Sequence, residues 1–207
     1  HSGGLDDLNP YRKAYKNWKL PFYCHKDALN YLKYKKDLDY LFSSILEEKI
    51  VEPNESFNVG ELKITSFKTN HGSFAPGSVG YILDEKNKRL VYTSDFSSIN
   101  DESKITEKKI DTLIIEANWF NEPLTNKPGH MSFQKAMDYI KKWNPENVYF
   151  IHFSDETPEP INPLPYEIPK NYNEWDKTAR KAFKDNGLGK YCEQENIISY
   201  DGLEIIL

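Results

Sequence analysis

The chain is short of several residue types that would mark it for particular tasks. It has two cysteines in 207 residues, Cys24 and Cys192, far apart and outside any metal-ligand spacing. This argues against a disulfide-stapled secreted scaffold and a cysteine-rich zinc module, and suits reduced thiols in a cytoplasmic protein. No apolar run approaches the roughly 18 residues of a membrane span, and no signal-peptide pattern is present. Basic residues are not in excess: 27 Lys and Arg stand against 32 Asp and Glu, a net charge of −5. An extended nucleic-acid surface is therefore not expected, because each phosphate contact needs a cation to displace counterions. An anionic substrate stays open, since bound divalent cations supply local positive charge. Histidine is scarce too, five in all, so the placement of each one carries weight.

The residues that are present suit one substantial core. With 38% hydrophobic and 14% aromatic residues, a single domain over residues 1–207 is expected. Strand-like and helix-like segments alternate. Leu5 to about Trp18 reads as helix, Leu20 to Cys24 as a short strand, and His25 to about Phe42 as a second helix. Glu61 to Thr69, Ser78 to Leu83 and Leu90 to Ser94 carry strand composition, with a hairpin turn over Asp84 to Lys88. Asp111 to Ala117 is a buried strand by its continuous apolar centre. Ser132 is a good N-cap for a helix with Phe133, Ala136, Met137 and Ile140 at helical spacing. Asn147 to His152 returns as strand, and a proline-rich loop follows, read equally as a substrate lid or a plain connection. A helix near Glu174 to Phe183 and a strand pair, Ile197 to Tyr200 and Leu203 to Ile206, close an α/β chain.

Histidine and aspartate recur where the apolar runs end: His71 in TNHGS, Asp95 in LVYTSDFSS, His130 in PGHMSFQKA and His152 in VYFIHFSD. Strand ends that deliver such groups to one rim are what a two-metal hydrolytic site needs. Imidazole and carboxylate suit zinc, manganese or iron, and a carboxylate bridges ions roughly 3.5–4 Å apart. Each residue alone has an ordinary reading as a turn former or surface group. It is their shared context that points to a metal site.

These segments together resemble the metallo-β-lactamase superfamily, in its phosphodiesterase-like branch. HSGGLDDLNPY is similar to the end of HxHxDHxxGLDDLRP, NHG to the third motif and YTSDFS to the bridging-aspartate motif. GHMSFQKA resembles the helix-leading histidine motif, IHFSD the last ligand motif and YDGLEI the closing strands. The resemblance implies an αββα sandwich with its site on the rim between two sheets, and N-terminal strands that belong upstream of His1. It makes His1 a ligand of one metal and His71 of the other, Asp95 the bridge, and His152 a further ligand beside His1. His130 becomes the catalytic non-ligand that holds a phosphate oxygen or protonates the leaving group. Where the family pattern has arginine this chain has Asn9, which removes one anion contact.

The activity implied is hydrolysis of a small phosphodiester by a metal-bridging hydroxide, with two divalent ions, zinc or manganese, as cofactors. A tRNA 3′-processing endonuclease, a biosynthetic relative and a catalytically inactive binding protein of the same fold are the alternatives. The endonuclease reading is the weaker for the chain's acidic balance. A monomer and a homodimer both stay open.

Overall fold

The computed structural model describes residues 3–14, 17–127 and 129–205. A 3₁₀ turn over Gly3–Leu8 leads into α1 (Asn9–Ala14). Then come β1 (Leu20–Cys24), α2 (Lys26–Tyr34), α3 (Asp39–Phe42), β2 (Leu46–Ile50) and β3 (Ser56–Val59). After β4 (Leu62–Lys68), β5 (Val79–Glu85) and β6 (Lys88–Tyr92) stand the short α4 (Ser103–Thr106) and β7 (Thr112–Glu116). Finally α5 (Phe133–Trp143), β8 (Asn147–Ile151) and α6 (Tyr172–Asp185) follow.

Six strands form one sheet in simple sequence order, from β3 to β8. The first four pair antiparallel, then β6, β7 and β8 run parallel. Two reversals bring β4 back into the direction of β6. So β4, β6, β7 and β8 all point their C-terminal ends at the same rim. A separate parallel pair joins β1 to β2.

Alternation along each strand sends successive side chains to opposite faces. On one face Phe67, Ile82, Val91, Leu113, Ile115, Val148 and Phe150 are buried with residues of α5 and α6. Phe133 of α5 and Phe183 of α6 both meet the Phe150 ring, at 5.1 Å and 5.8 Å between centroids. Ring-against-ring contacts of this kind add about 0.5–1.5 kcal/mol each to the gain from area burial. On the other face the rows Ile64, Leu83, Leu90 and Tyr81, Tyr92, Ile114 are only half buried. They border a shallow groove of about 560 Å³ that Tyr23 and Phe57 also line. A smaller core gathers Leu29, Leu38, Leu41, Phe42, Ile45 and Leu46 around the two-stranded sheet.

Several elements depart from the sequence reading. The expected helix from His25 to Phe42 is two helices, because Asp37 adopts a left-handed φ of 54° between them. The helix expected from Leu5 to Trp18 is a 3₁₀ turn and a six-residue helix. Strand β2 was not expected: its Glu47, Glu48 and Lys49 have weak strand propensity, and it is the pairing Leu20 with Leu46 that makes it one. The expected closing hairpin is absent among the described residues. Instead the Phe150 amide donates to Ile197 O and the Ser199 amide to Phe150 O, which ties the C-terminal segment to β8. Ile197 and Ile198 are both fully buried, so this segment gains more against the core than in a solvent hairpin.

The proline-rich loop is tied to the segment before His130. Leu124 and Ile161 exchange backbone hydrogen bonds across it with Glu159 and Glu122, and the Leu164 amide donates to Asn121. Both cysteines are free, and burial pushes the Cys24 thiol up to about 11. No helix among the described residues is long and apolar enough to cross a membrane.

Candidate metal centre

The shared strand direction decides what meets at the rim. His71 lies three residues beyond the end of β4, and Asp95 three beyond β6. Glu116 is the last residue of β7, and His152 follows the last residue of β8. His130 arrives from the loop before α5. Ser132 caps that helix by accepting from the Lys135 amide at 3.1 Å, and Asn126 accepts from the His130 amide and donates to its carbonyl. Two non-glycine residues here, Ser94 and His152, hold left-handed φ values of 57°. Such conformations cost about 1–3 kcal/mol each and persist only where packing enforces them. They turn the chain sharply as it leaves β6 and β8.

The side chains converge. Nε2 of His152 is 3.8 Å from an Asp95 carboxylate oxygen. The rings of His71 and His130 lie 4.6 Å apart, and those of His130 and His152 5.0 Å apart. His71, Asp95 and His130 offer ligand atoms all within 4.8 Å of one another, and Glu116, His130 and His152 form a second such group. Thus His71, Asp95, His130 and His152 come together as the sequence pattern suggests, whereas His1 lies outside the described residues.

Glu116 is the residue that the sequence reading passed over. It is fully buried, and one carboxylate oxygen faces Nδ1 of both His130 and His152, the latter at 3.2 Å. The other accepts from the Phe96 amide at 2.6 Å. Burial pushes this carboxyl up, but the hydrogen bonds from His130, His152 and Phe96 outweigh it and hold it below the ordinary range. In turn the Glu116 hydrogen bond raises the His152 pKa against burial, with help from the Asp95 charge. A signal for Glu116 existed. It ends an apolar strand, DTLIIE, as Asp95 and His152 nearly do.

Each histidine is therefore anchored through Nδ1 to an acceptor. For His71 the acceptor is Gly129 O at 2.7 Å; for His130 and His152 it is the Glu116 carboxylate. A carbonyl and a carboxylate only accept, so Nδ1 carries the proton and the Nε2 lone pair is directed elsewhere. That is how a protein prepares an imidazole for a metal: the outer hydrogen bond fixes tautomer and ring orientation. The residues fit a divalent ion. The Glu116 oxygen is already engaged by two histidines, whereas His71, Asp95 and His130 form the group at the mouth of the rim. Nearer the N-terminus, His25 caps α2 by accepting from the Asp27 amide, and Asp6 accepts from the Tyr40 hydroxyl.

Comparison with known proteins identifies the fold that carries this geometry. The family model for the β-lactamase superfamily domain matches residues 1–153, and the chain belongs to that family, with the metallo-β-lactamase fold. Unliganded yeast PDE1 superposes with a TM-score of 0.68 at 18% identity, covering 96% of this chain and 63% of its own. YhfI of Bacillus subtilis, a metallo-β-lactamase fold protein, gives 0.63 at 19% identity, with coverage of 89% and 67%. A diphosphatase of the PhnP family gives 0.56 at 23% identity, with coverage of 75% and 56%. The chain thus spans between 56% and 67% of the length of these three structures. At such identities the likeness is one of fold. A search of the curated proteins found no match.

Proposed function

We propose that this protein is a metal-dependent hydrolase that cleaves a small phosphodiester, with two divalent ions, zinc or manganese, at the rim. The observation that carries this reading is the set of three histidines, each tied back through Nδ1, around a carboxylate. The similarity to a PhnP-family diphosphatase and to yeast PDE1 supports phosphoester chemistry. When bound, the ions would polarise the phosphoryl oxygens and lower the pKa of water towards roughly 7.

The chain's own residues do the rest. His71, Asp95 and His152, with His1, would hold the ions, and Asp95 would be the carboxylate shared between them. Glu116 locks the rings of His130 and His152, so that neither reorients as the substrate enters. His130 is kept as the group that holds a phosphoryl oxygen or gives a proton to the departing alkoxide at Nε2. The Trp119 ring, edge-on at 5.6 Å, closes the back of His130 and keeps water from that side. A phosphodiester with two small arms needs no long basic surface, in keeping with the net charge of −5.

The test uses the full-length protein. Metal analysis should find close to two divalent ions per chain, and bis(p-nitrophenyl) phosphate should be hydrolysed, lost on chelation and restored by zinc or manganese. Asp95→Ala should abolish turnover and lower metal content while leaving the circular dichroism spectrum unchanged. Wild-type turnover in that variant removes Asp95 from the mechanism. Efficient cleavage of precursor tRNA at its 3′ side, with poor turnover of the small diester, overturns the substrate class.

A further inference from the structure

Two hollows open beside His71, and Phe74 borders both. They differ in chemistry. One, of about 760 Å³, is lined by polar groups, among them Asn70, Ser73, Ser97, Asn126 and Lys127. The other, of about 550 Å³, runs from His71 and Asp95 to α2 between Phe22, Tyr31, Leu32 and Phe74. Phe74 is 48% exposed and belongs to neither core. Its ring stands edge-on to the His71 imidazole at 5.0 Å. The loop is shaped for it: Gly72 has a φ of +77°, and a Cβ there would come within 2.9 Å of the Phe74 ring. Lys36 also lines this groove, and its ammonium lies 5.8 Å from the Tyr31 ring centre, so the groove carries a positive charge over an aromatic face.

An exposed aromatic held against a histidine of the rim, in a groove that Phe22 and Tyr31 also line, contributes little to folding. From these features we infer that the groove binds a planar aromatic group attached to the scissile phosphate. The substrate is thus an asymmetric phosphodiester, with its aromatic arm between Tyr31 and Phe74 and its polar arm in the hollow lined by Asn70, Ser97 and Lys127. This rests on the phosphodiesterase reading above and names the side group that the site selects. An aryl group and a nucleobase share the chemistry required. Flat π-faces accept either by stacking.

Equilibrium binding separates this inference from the reading beneath it. The probes are methylphosphonate, cyclohexylphosphonate, phenylphosphonate and thymidine 5′-phosphate, added to the full-length, metal-loaded protein in a calorimeter. Phenylphosphonate should bind about tenfold tighter than methylphosphonate, and clearly tighter than its cyclohexyl counterpart. Thymidine 5′-phosphate tighter than phenylphosphonate marks a nucleoside as the source of the ring, and the reverse order marks a simple aryl group. Phe74→Leu and Tyr31→Leu should each remove most of the phenyl preference while leaving methylphosphonate affinity within about twofold, and Tyr31→Phe should keep it. The Tyr31 variants, on a half-exposed helix position, serve if Phe74→Leu folds poorly. Equal binding of the methyl and phenyl ligands, with turnover of bis(p-nitrophenyl) phosphate intact, overturns the aromatic subsite alone. No binding of any phosphonate together with no turnover overturns the phosphodiesterase reading and this inference with it.

Discussion

At one end of β6 the Arg89 guanidinium donates from Nε and Nη2 to the two oxygens of Asp84, at 2.8 and 2.9 Å, and from Nη1 to Lys104 O. At the other end Asp95 faces His152, and Glu116 beside it holds two imidazoles. Both rims of the sheet carry buried charge, yet they differ in where that charge is directed. Around Arg89 the donors and acceptors face one another, and the cavity there is about 50 Å³. Around Asp95 each of the three histidines is anchored through Nδ1, and the hollows alongside reach about 550 and 760 Å³. The first rim is a closed network that pins α4 against the sheet. At the second, ring orientation is fixed in advance for a ligand. Buried ionisable groups thus do not mark a site by themselves; what distinguishes the two is the open space beside the second.

Breaking the closed rim should have the largest effect on the fold. Arg89→Met leaves Asp84, in a mostly buried position, with only the charges of Lys63 and Lys108 nearby, and loss of one member of such a pair costs about 3–5 kcal/mol. Urea denaturation of wild type and variant measures it. A loss below about 1 kcal/mol would mean that water reaches Asp84 after all, and the contrast between the rims would fail.

Glu116→Gln probes the open rim. The amide keeps an acceptor but loses the charge, and loss of such an outer partner typically weakens metal binding about 10–100-fold. Competition with a chelator reads the affinity, and the fall in stability should be smaller than for Arg89→Met. Unchanged metal affinity would make Glu116 a packing residue.

Acid should separate the rims further. The Arg89 hydrogen bond holds the Asp84 carboxyl below its ordinary 3.8. The stability it contributes is therefore complete above about that pH and is lost as the pH falls through the lower folded-state value. At the open rim protons compete with metal for the imidazoles. Because the His152 pKa lies above its ordinary 6.5, metal affinity should begin to fall while the pH is still above that value. Stability curves and metal titrations from pH 8 to 3 should show the two losses in separate windows. A single shared transition would mean that the rims are coupled.

The smallest expected effect comes from the cap that positions His130. Ser132→Ala removes the acceptor for the Lys135 amide at the start of α5 and should cost about 1 kcal/mol. Thermal unfolding measures it. If turnover drops more than this loss of folded protein explains, the cap also sets the position of His130.

What the sequence determined by itself was the type and order of its elements and the chemistry at their ends. The runs of β4, β6 and β8 show their strand character through β-branched and aromatic content, and that of β7 through its continuous apolar centre, all local properties. The hydrophobic spacing and the Ser132 cap of α5 are local too. His71, Asp95 and His152 were legible because each closes such a run, and Glu116 could have been found by the same rule. The tertiary structure decided what local pattern cannot encode. Strand β2 exists through its partner β1, and the C-terminal segment chose β8 over its own hairpin because Ile197 and Ile198 are buried there. Which nitrogen of each histidine faces the groove was also settled only in three dimensions. Gly129 O lies 58 residues from His71 and Glu116 lies 36 from His152, so the hydrogen bonds that set those tautomers form only when the parallel strand ends meet at one rim.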